Sequence, residues 1–312
     1  MSKNARAYIS DRFVLELDGQ YVGTLQTVEG GALKSAGVVE DKIGKEATVL
    51  RYPARPQFDD VTIQVGMSMA PRFWKWIAAS FNYDAERRDG SIVALDFDNN
   101  ERWRRNFYGA LISEVGFPAL DGAAKEPAYM TVKFAVERME VQKASGKHPA
   151  EQEAKEEWNK QRLWLPSNFS FKIDKFSGGK KLPNAKIDAF TVKQNIITVP
   201  IGRELIPRKE PGRVEFPQLQ VTVLERDAQP WLAWYKRFVR DGEHVPGEET
   251  NGHIEYLKRD TSTPLLILDI YNLGILEVSP LKHDSKQSQI QKIRVSMYCE
   301  RMELKPGPGT VG

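Results

Sequence analysis

Hydrophobic and polar positions alternate along Phe13 to Asp18, FVLELD, and again along Phe169 to Asp174, FSFKID. That period belongs to a strand with one buried face, and each run ends in Asp, a residue suited to entering a turn. The same alternation places Val61, Ile63 and Val65 on one face, and Leu219, Val221 and Val223 on another. Both stretches then switch to helical spacing. Phe73, Trp76 and Ile77 in the first, and Trp231, Trp234, Tyr235 and Phe238 in the second, recur at intervals of three and four, which lines them along one helix face. Pro71 and Pro230 stand near the two helix starts, where a missing N–H costs little. The pattern predicts a mainly β chain with few helices, and a structural core containing Phe73, Trp76, Ile77, Trp231, Trp234 and Tyr235.

These stretches are parts of an internal repeat. The 24 residues from Phe58, FDDVTIQVGMSMAPRFWKWIAASF, lie without a gap on FPQLQVTVLERDAQPWLAWYKRFV from Phe216. FYGALISEV, Phe107 to Val115, matches IYNLGILEV, Ile270 to Val278, and MTVKFAVERMEV, Met130 to Val141, matches IRVSMYCERMEL, Ile293 to Leu304, with ERME identical. Four collinear blocks imply duplication. The expected organisation is a first domain over 1–142, a charged, partly helical linker over 143–167 and a second domain over 168–312, each domain with its own core. An exposed helix is expected from about Ala150 to Trp164. As a flexible chain the linker would span on the order of 30 Å, and its helical part about 20 Å.

Composition adds boundaries. The 312 residues are 41% hydrophobic and 28% charged, the balance of a globular chain, and the formal net charge is +3. That near-neutrality gives no general argument for nucleic acid. One cysteine, Cys299, rules out a disulfide within the chain and reads as a small buried hydrophobe on a strand. No stretch of ~18 uncharged apolar residues and no signal-like N-terminal run are present, which reads as a protein made in a cytoplasm.

The Phe73-Trp74-x-Trp76 helix, the F-x-[LV]-x-[LI]-D strand before it and the final strand ending in Glu137-Arg138-Met139-Glu140 resemble the tail-tube family of contractile phages and injection systems. Each repeat covers roughly one family domain, and typical members carry one. The resemblance implies that each copy folds as two packed antiparallel sheets, or a flattened barrel, with one flanking helix. It also implies a non-enzymatic structural subunit that self-assembles into (quasi-)sixfold rings, as trimers or hexamers. The implied neighbours are tube, spike, hub, baseplate and sheath proteins, with nucleic acid or effector only as lumen cargo and no membrane contact. The implied location is the bacterial cytoplasm during assembly, then a virion tail or injection particle. Residues from Leu33 to Tyr52 would form the hairpin that joins subunits, with Lys34, Glu40, Asp41, Lys42, Lys45 and Glu46 giving a polar contact surface. The matching Ile196 to Arg213 stretch contains Pro200, Pro207 and Pro211 and is expected to depart from a regular hairpin. Duplication suits a tube-initiating ring or hub adaptor, since three chains supply six domains; a double ring of six chains, a tail-terminating cap and a ligand-binding β module are the alternatives.

No motif points to catalysis, a cofactor or a metal. Asp96, Asp98 and Asn100 open like a calcium loop, but Glu101 stands where Gly is needed and Phe107 where a bidentate Glu belongs, so a turn is expected. The Ser177 to Lys181 run lacks phosphate-loop spacing, and His148, His244, His253 and His283 lack zinc spacing. Arg102-Trp103-Arg104-Arg105 reads as an exposed strand or turn neutralised by Asp96, Asp98 and Glu101.

Overall fold

The Asp18-Gly19 dipeptide decides how the first half begins. Both residues take positive φ, 51° and 75°, and Leu17 pairs with Gln20, so they form the two-residue turn whose twist matches an antiparallel hairpin. In the second half Asp174 is followed by Lys175 and starts a helical turn instead. The computed structural model describes residues 12–43, 48–143, 146–148, 164–177, 181–182, 185–202, 206–242, 249–281 and 291–310. The expected linker helix, His244, His283 and most of the Ser177 to Lys181 run lie outside them.

The first half runs β1 (Arg12–Leu17), β2 (Gln20–Gly30), β3 (Leu33–Ser35), β4 (Val38–Ile43), β5 (Thr48–Pro53), β6 (Pro56–Phe58), β7 (Val61–Val65), α1 (Pro71–Phe81), β8 (Arg88–Leu95), β9 (Glu101–Phe117), β10 (Met130–Ala135) and β11 (Arg138–Lys143). Pairing proceeds β1-β2-β7-β10-β9-β8 and returns to β1, which closes a barrel. Strands β3 to β6 leave it as a long hairpin, with β3 on β6 and β4 on β5.

The second half runs β12 (Phe169–Ile173), α2 (Asp174–Ser177), β13 (Lys186–Ile187), β14 (Phe190–Val199), β15 (Arg208–Glu215), β16 (Leu219–Leu224), α3 (Gln229–Tyr235), a π-helical turn (Lys236–Arg240), β17 (Thr250–Leu257), β18 (Pro264–Pro280), β19 (Lys292–Tyr298) and β20 (Arg301–Pro306). Its order, β12-β17-β18-β19-β16-β13, repeats the first ladder but stays open between β12 and β13. Among the described residues no two-residue turn joins these strands; a helical turn follows β12, and Leu182 N–H donates to Phe171 O at 2.8 Å.

Both 17-residue strands, β9 and β18, bend where one partner replaces another, and a left-handed residue sits at each bend: Gly109 at φ 62° and Asn272 at φ 53°. Gly and Asn are the residues that take this conformation most readily. The repeated ERME also has a local cause. Arg138 covers the Tyr108 ring at 4.2 Å and Arg301 the Tyr271 ring at 5.2 Å, while Tyr108 and Tyr271 donate hydrogen bonds to Glu140 and Glu303.

Two separate cores are expected from the repeat; the buried side chains instead form one continuous cluster through both halves, with a small satellite of Val14, Val93 and Leu95. Ile196 to Arg213 is expected to depart from a regular hairpin, and its pairing is irregular at one point. Strands β14 and β15 form an antiparallel hairpin with one irregularity between Gln194 and Ile196. Pro211 is tolerated because β15 is the sheet's edge and its outer side needs no N–H.

Candidate assembly surface

The halves are joined by a strand of one completing the sheet of the other. Phe190, Thr191, Val192 and Lys193 of β14 lie opposite Phe117, Gly116, Val115 and Glu114 of β9. Aromatic rings seal this seam: Phe117 stacks on Phe190 at 4.8 Å and 19°, and meets Tyr256 at 6.0 Å, which in turn meets Trp164 at 5.5 Å. Tyr256 is fully buried, and burial pushes its phenol well above the usual range. Beside the seam α1 packs against β20, and Phe81 of α1 meets Phe216 edge-on at 6.3 Å. Polar contacts line the rim: Arg87 pairs with Glu210 at 2.7 Å, and Lys186 with Asp121 at 3.4 Å.

The hairpin of the first half has no such cover among the described residues. Lys34, on β3, pairs with Asp59. On β4, Glu40 pairs with Arg51 at 2.7 Å, and Asp41 accepts a hydrogen bond from Tyr52 at 2.6 Å that raises the Tyr52 phenol. Lys42 lies on β4 opposite Val49; Lys45 and Glu46 fall outside the described residues. The surface is less polar than its sequence implies, because Leu33, Val38, Val39, Val49, Leu50 and Tyr52 are also exposed. Between the hairpin root and β15 lies a cleft of about 420 Å³ whose lining includes Lys34, Asp59, Asp60, Lys133, Glu137 and Lys209. Its charges are paired, Lys133 and Lys209 both with Asp60 at 3.6 and 3.5 Å, so the cleft offers no concentrated charge to a ligand.

Of the residues read as core, Phe73, Trp76, Ile77, Trp231 and Trp234 are buried, and Tyr235 is half-buried. Sequence reasoning passed over Trp74 and Phe81, both buried on α1, and Phe117 and Phe190 at the seam. A signal for Trp74 and Phe81 was present: with Ile77 they form a second apolar stripe, at spacings of three and four, beside the first.

Residues 10–140 match the profile of the T4-like virus tail tube protein gp19 family. This part of the chain is a tail-tube domain. The match supports a structural tube or ring subunit. Among solved structures, the chain is similar to the sheath-tube complex of an extracellular contractile injection system, PVC, in its extended state, at 17% identity and TM-score 0.38, covering 45% of this chain and 94% of that one. The anti-feeding prophage tube terminating cap is similar at 18% identity and TM-score 0.38, covering 46% and 96%. Hcp1 from Flavobacterium johnsoniae follows at 14% and 0.29, covering 42% and 95%. No curated protein matches the chain in sequence.

The tail-tube domain also contains a buried charge cluster that its sequence does not announce. Arg104, expected on an exposed run, bonds Glu16 of β1 and Glu101, and His148 Nε2 lies 2.9 Å from Glu16 Oε1. Burial would raise the Glu16 carboxyl, but hydrogen bonds from His148 and Arg104 and their positive charge bring it down to about 2. The same carboxylates raise the Arg104 guanidinium against its own burial. The cluster ties the chain beyond β11 back to the domain: Glu101 N–H donates to Gly146 O and His148 N–H to Asn99 O. Asp96 forms the neighbouring turn, accepting from the N–H groups of Asp98 and Asn100 at 2.9 and 2.8 Å and pairing with Arg102. Cys299 lies one residue beyond β19 rather than on it, half-buried, and burial pushes its thiol up to about 12.

Proposed function

We propose that this chain is a two-unit ring subunit at the start of an inner tube, where a tube meets its hub or baseplate, with three chains supplying six tube-type units to one ring. One observation carries this reading: β14 adds to β9 edge to edge, so the halves lie side by side in one sheet. Side-by-side units suit neighbouring places in a single ring; a double ring would need them stacked. The second half supports it by repeating the first ladder, strand for strand, from the β12–β17 pair to the β18–β20 pair. In this reading the domains are 1–142 and 168–312, the chain performs no catalysis, and assembly takes place in the bacterial cytoplasm before incorporation into a tail. No helix among the described residues is long and apolar enough to cross a membrane.

Light scattering coupled to size-exclusion chromatography, followed by negative-stain imaging, tests the reading. Trimers with six-lobed outlines are expected. Two-layered hexamers would replace it with the double ring, and a monomer at every concentration, with a ligand-dependent melting shift, would replace it with the binding module.

A further inference from the structure

Strand register shows which residues of the two halves are equivalent. Val115 lies opposite Val132 and Val278 opposite Val295; Tyr108 lies opposite Arg138 and Tyr271 opposite Arg301. Residues 114–117 of β9 therefore correspond to 277–280 of β18. Likewise Val28 lies opposite Ile63 and Ile187 opposite Val221, while Lys34 lies opposite Gln57 and Lys193 opposite Glu215. Residues 31–34 thus correspond to 190–193.

Each surface used at the internal seam has an uncovered counterpart. The half of β18 from Ile275 to Pro280 pairs with β19 on one side, and no described strand occupies the other, the side that β14 takes on β9. Strand β3 pairs only with β6 among the described residues, and its Leu33 is 64% exposed. The helix shows the same asymmetry. Trp74, Ile77 and Phe81 are buried on α1, which packs on β20, whereas their equivalents on α3 and the following turn are Leu232 and Val239, each 43% exposed, and half-buried Tyr235. On the receiving strand Leu304 of β20 is 2% exposed, and its equivalent on β11, Val141, is 75% exposed.

We infer that chains join head to tail through a copy of the internal seam, with β3 of one chain adding to the open half of β18 in the next while α3 of that second chain packs on β11 of the first. The occupant of these surfaces is a second copy of this chain. The register follows: Leu33 opposite Val278 and Lys34 opposite Glu277, as Val192 opposes Val115 and Lys193 opposes Glu114 within the chain. Opposite charges therefore meet at both seams, which favours this register over a slip by one residue. The apolar stripe Leu232, Tyr235 and Val239 meets Val141, covering side chains that are otherwise exposed. A heterologous contact of this kind closes into a ring when its rotation permits. The intermolecular seam lacks the Phe117–Phe190 stack, since Gly31 and Pro280 hold those places, so it is the separable one of the two.

This inference rests on the ring reading but is tested separately. With Cys299→Ser as background, a chain carrying Leu33→Cys and Val278→Cys is oxidised and run under denaturing conditions, directly opposed strand positions being within disulfide reach. Covalent species of two and three chains are expected, with none from either single variant. In parallel, Leu232→Asp or Val141→Asp should weaken assembly at least about tenfold without shifting the melting temperature, whereas exposed Phe97→Asp should leave assembly intact. Trimers that form normally in both Asp variants, together with no crosslink in the double-cysteine chain, would overturn the seam and leave the ring reading standing. Crosslinked rings of another size would keep the seam and overturn the count of three. A wild-type chain that stays monomeric at every concentration, together with a double-cysteine chain that yields no crosslink, would overturn both.

Discussion

The two halves of the chain share one ladder of strands and reach their stability by different routes. The first closes its barrel through the Asp18-Gly19 hairpin and holds Glu16, Arg104, Glu101 and His148 in a buried charge cluster. The second leaves β12 and β13 unpaired with each other among the described residues, has Lys172 where the first has Glu16, and sends β14 across to the first half's β9. Lys172 makes only a partly exposed pair with Glu255 at 2.7 Å. A repeat can therefore exchange local closure for attachment to its neighbour, provided that apolar surface at the attachment makes up for the lost hairpin.

Breaking the attachment should have the largest effect. Phe117→Ala removes the ring that touches Phe81, Phe190 and Tyr256, and should cost about 3 to 5 kcal/mol in urea unfolding, with both halves unfolding at lower denaturant. A second, separate transition for residues beyond 168 would show that the seam holds the second half alone. Unchanged midpoints would remove the seam from the account of stability.

In the first half, acid should act through Glu16. Glu16 titrates at about 2 in the folded protein, below its ordinary 4.5, so its stabilisation is complete above about pH 4.5 and disappears as pH falls through about 2. The amount is up to about 3 kcal/mol. Wild type should lose stability across that window, and Glu16→Gln should show a flatter acid limb. Equal slopes would assign the acid response to other carboxylates.

The helices should differ more modestly. Trp76 Nε1 donates to Glu86 O at 3.0 Å, while the buried Trp234 Nε1 has no acceptor among the described residues. Trp76→Ala should cost about 3 to 5 kcal/mol, and Trp234→Ala about 1 kcal/mol less, because removing an unsatisfied donor relieves a desolvation cost. At the bottom of the scale, Leu33→Ala on the exposed hairpin should change unfolding by less than about 0.5 kcal/mol while weakening self-association.

Much of the ladder was legible because period-two strands and the FWxW helix leave strong local patterns, and duplication printed each pattern twice. What the halves do to each other was not legible. Nothing local in FTVKQNIITV says that β14 will pair with β9, and the prolines after it suggest a broken hairpin when they mark an edge strand. His148 sits in a polar, charged stretch that reads as linker, and its burial depends on Glu16, over a hundred residues away. Exposed Leu232 and buried Trp74 occupy the same place in the repeat, so the repeat alone cannot separate an inner contact from an outer one.

Because β14 is tethered to β9 through one polypeptide, that junction forms at an effective concentration set by the chain rather than by the cell. A ring of six units built from single-unit chains requires five bimolecular encounters, each losing translational and rotational freedom; built from pairs it requires two. The fused strand therefore lowers the concentration at which a first ring can nucleate, and gives it a head start over any ring made from one-unit subunits.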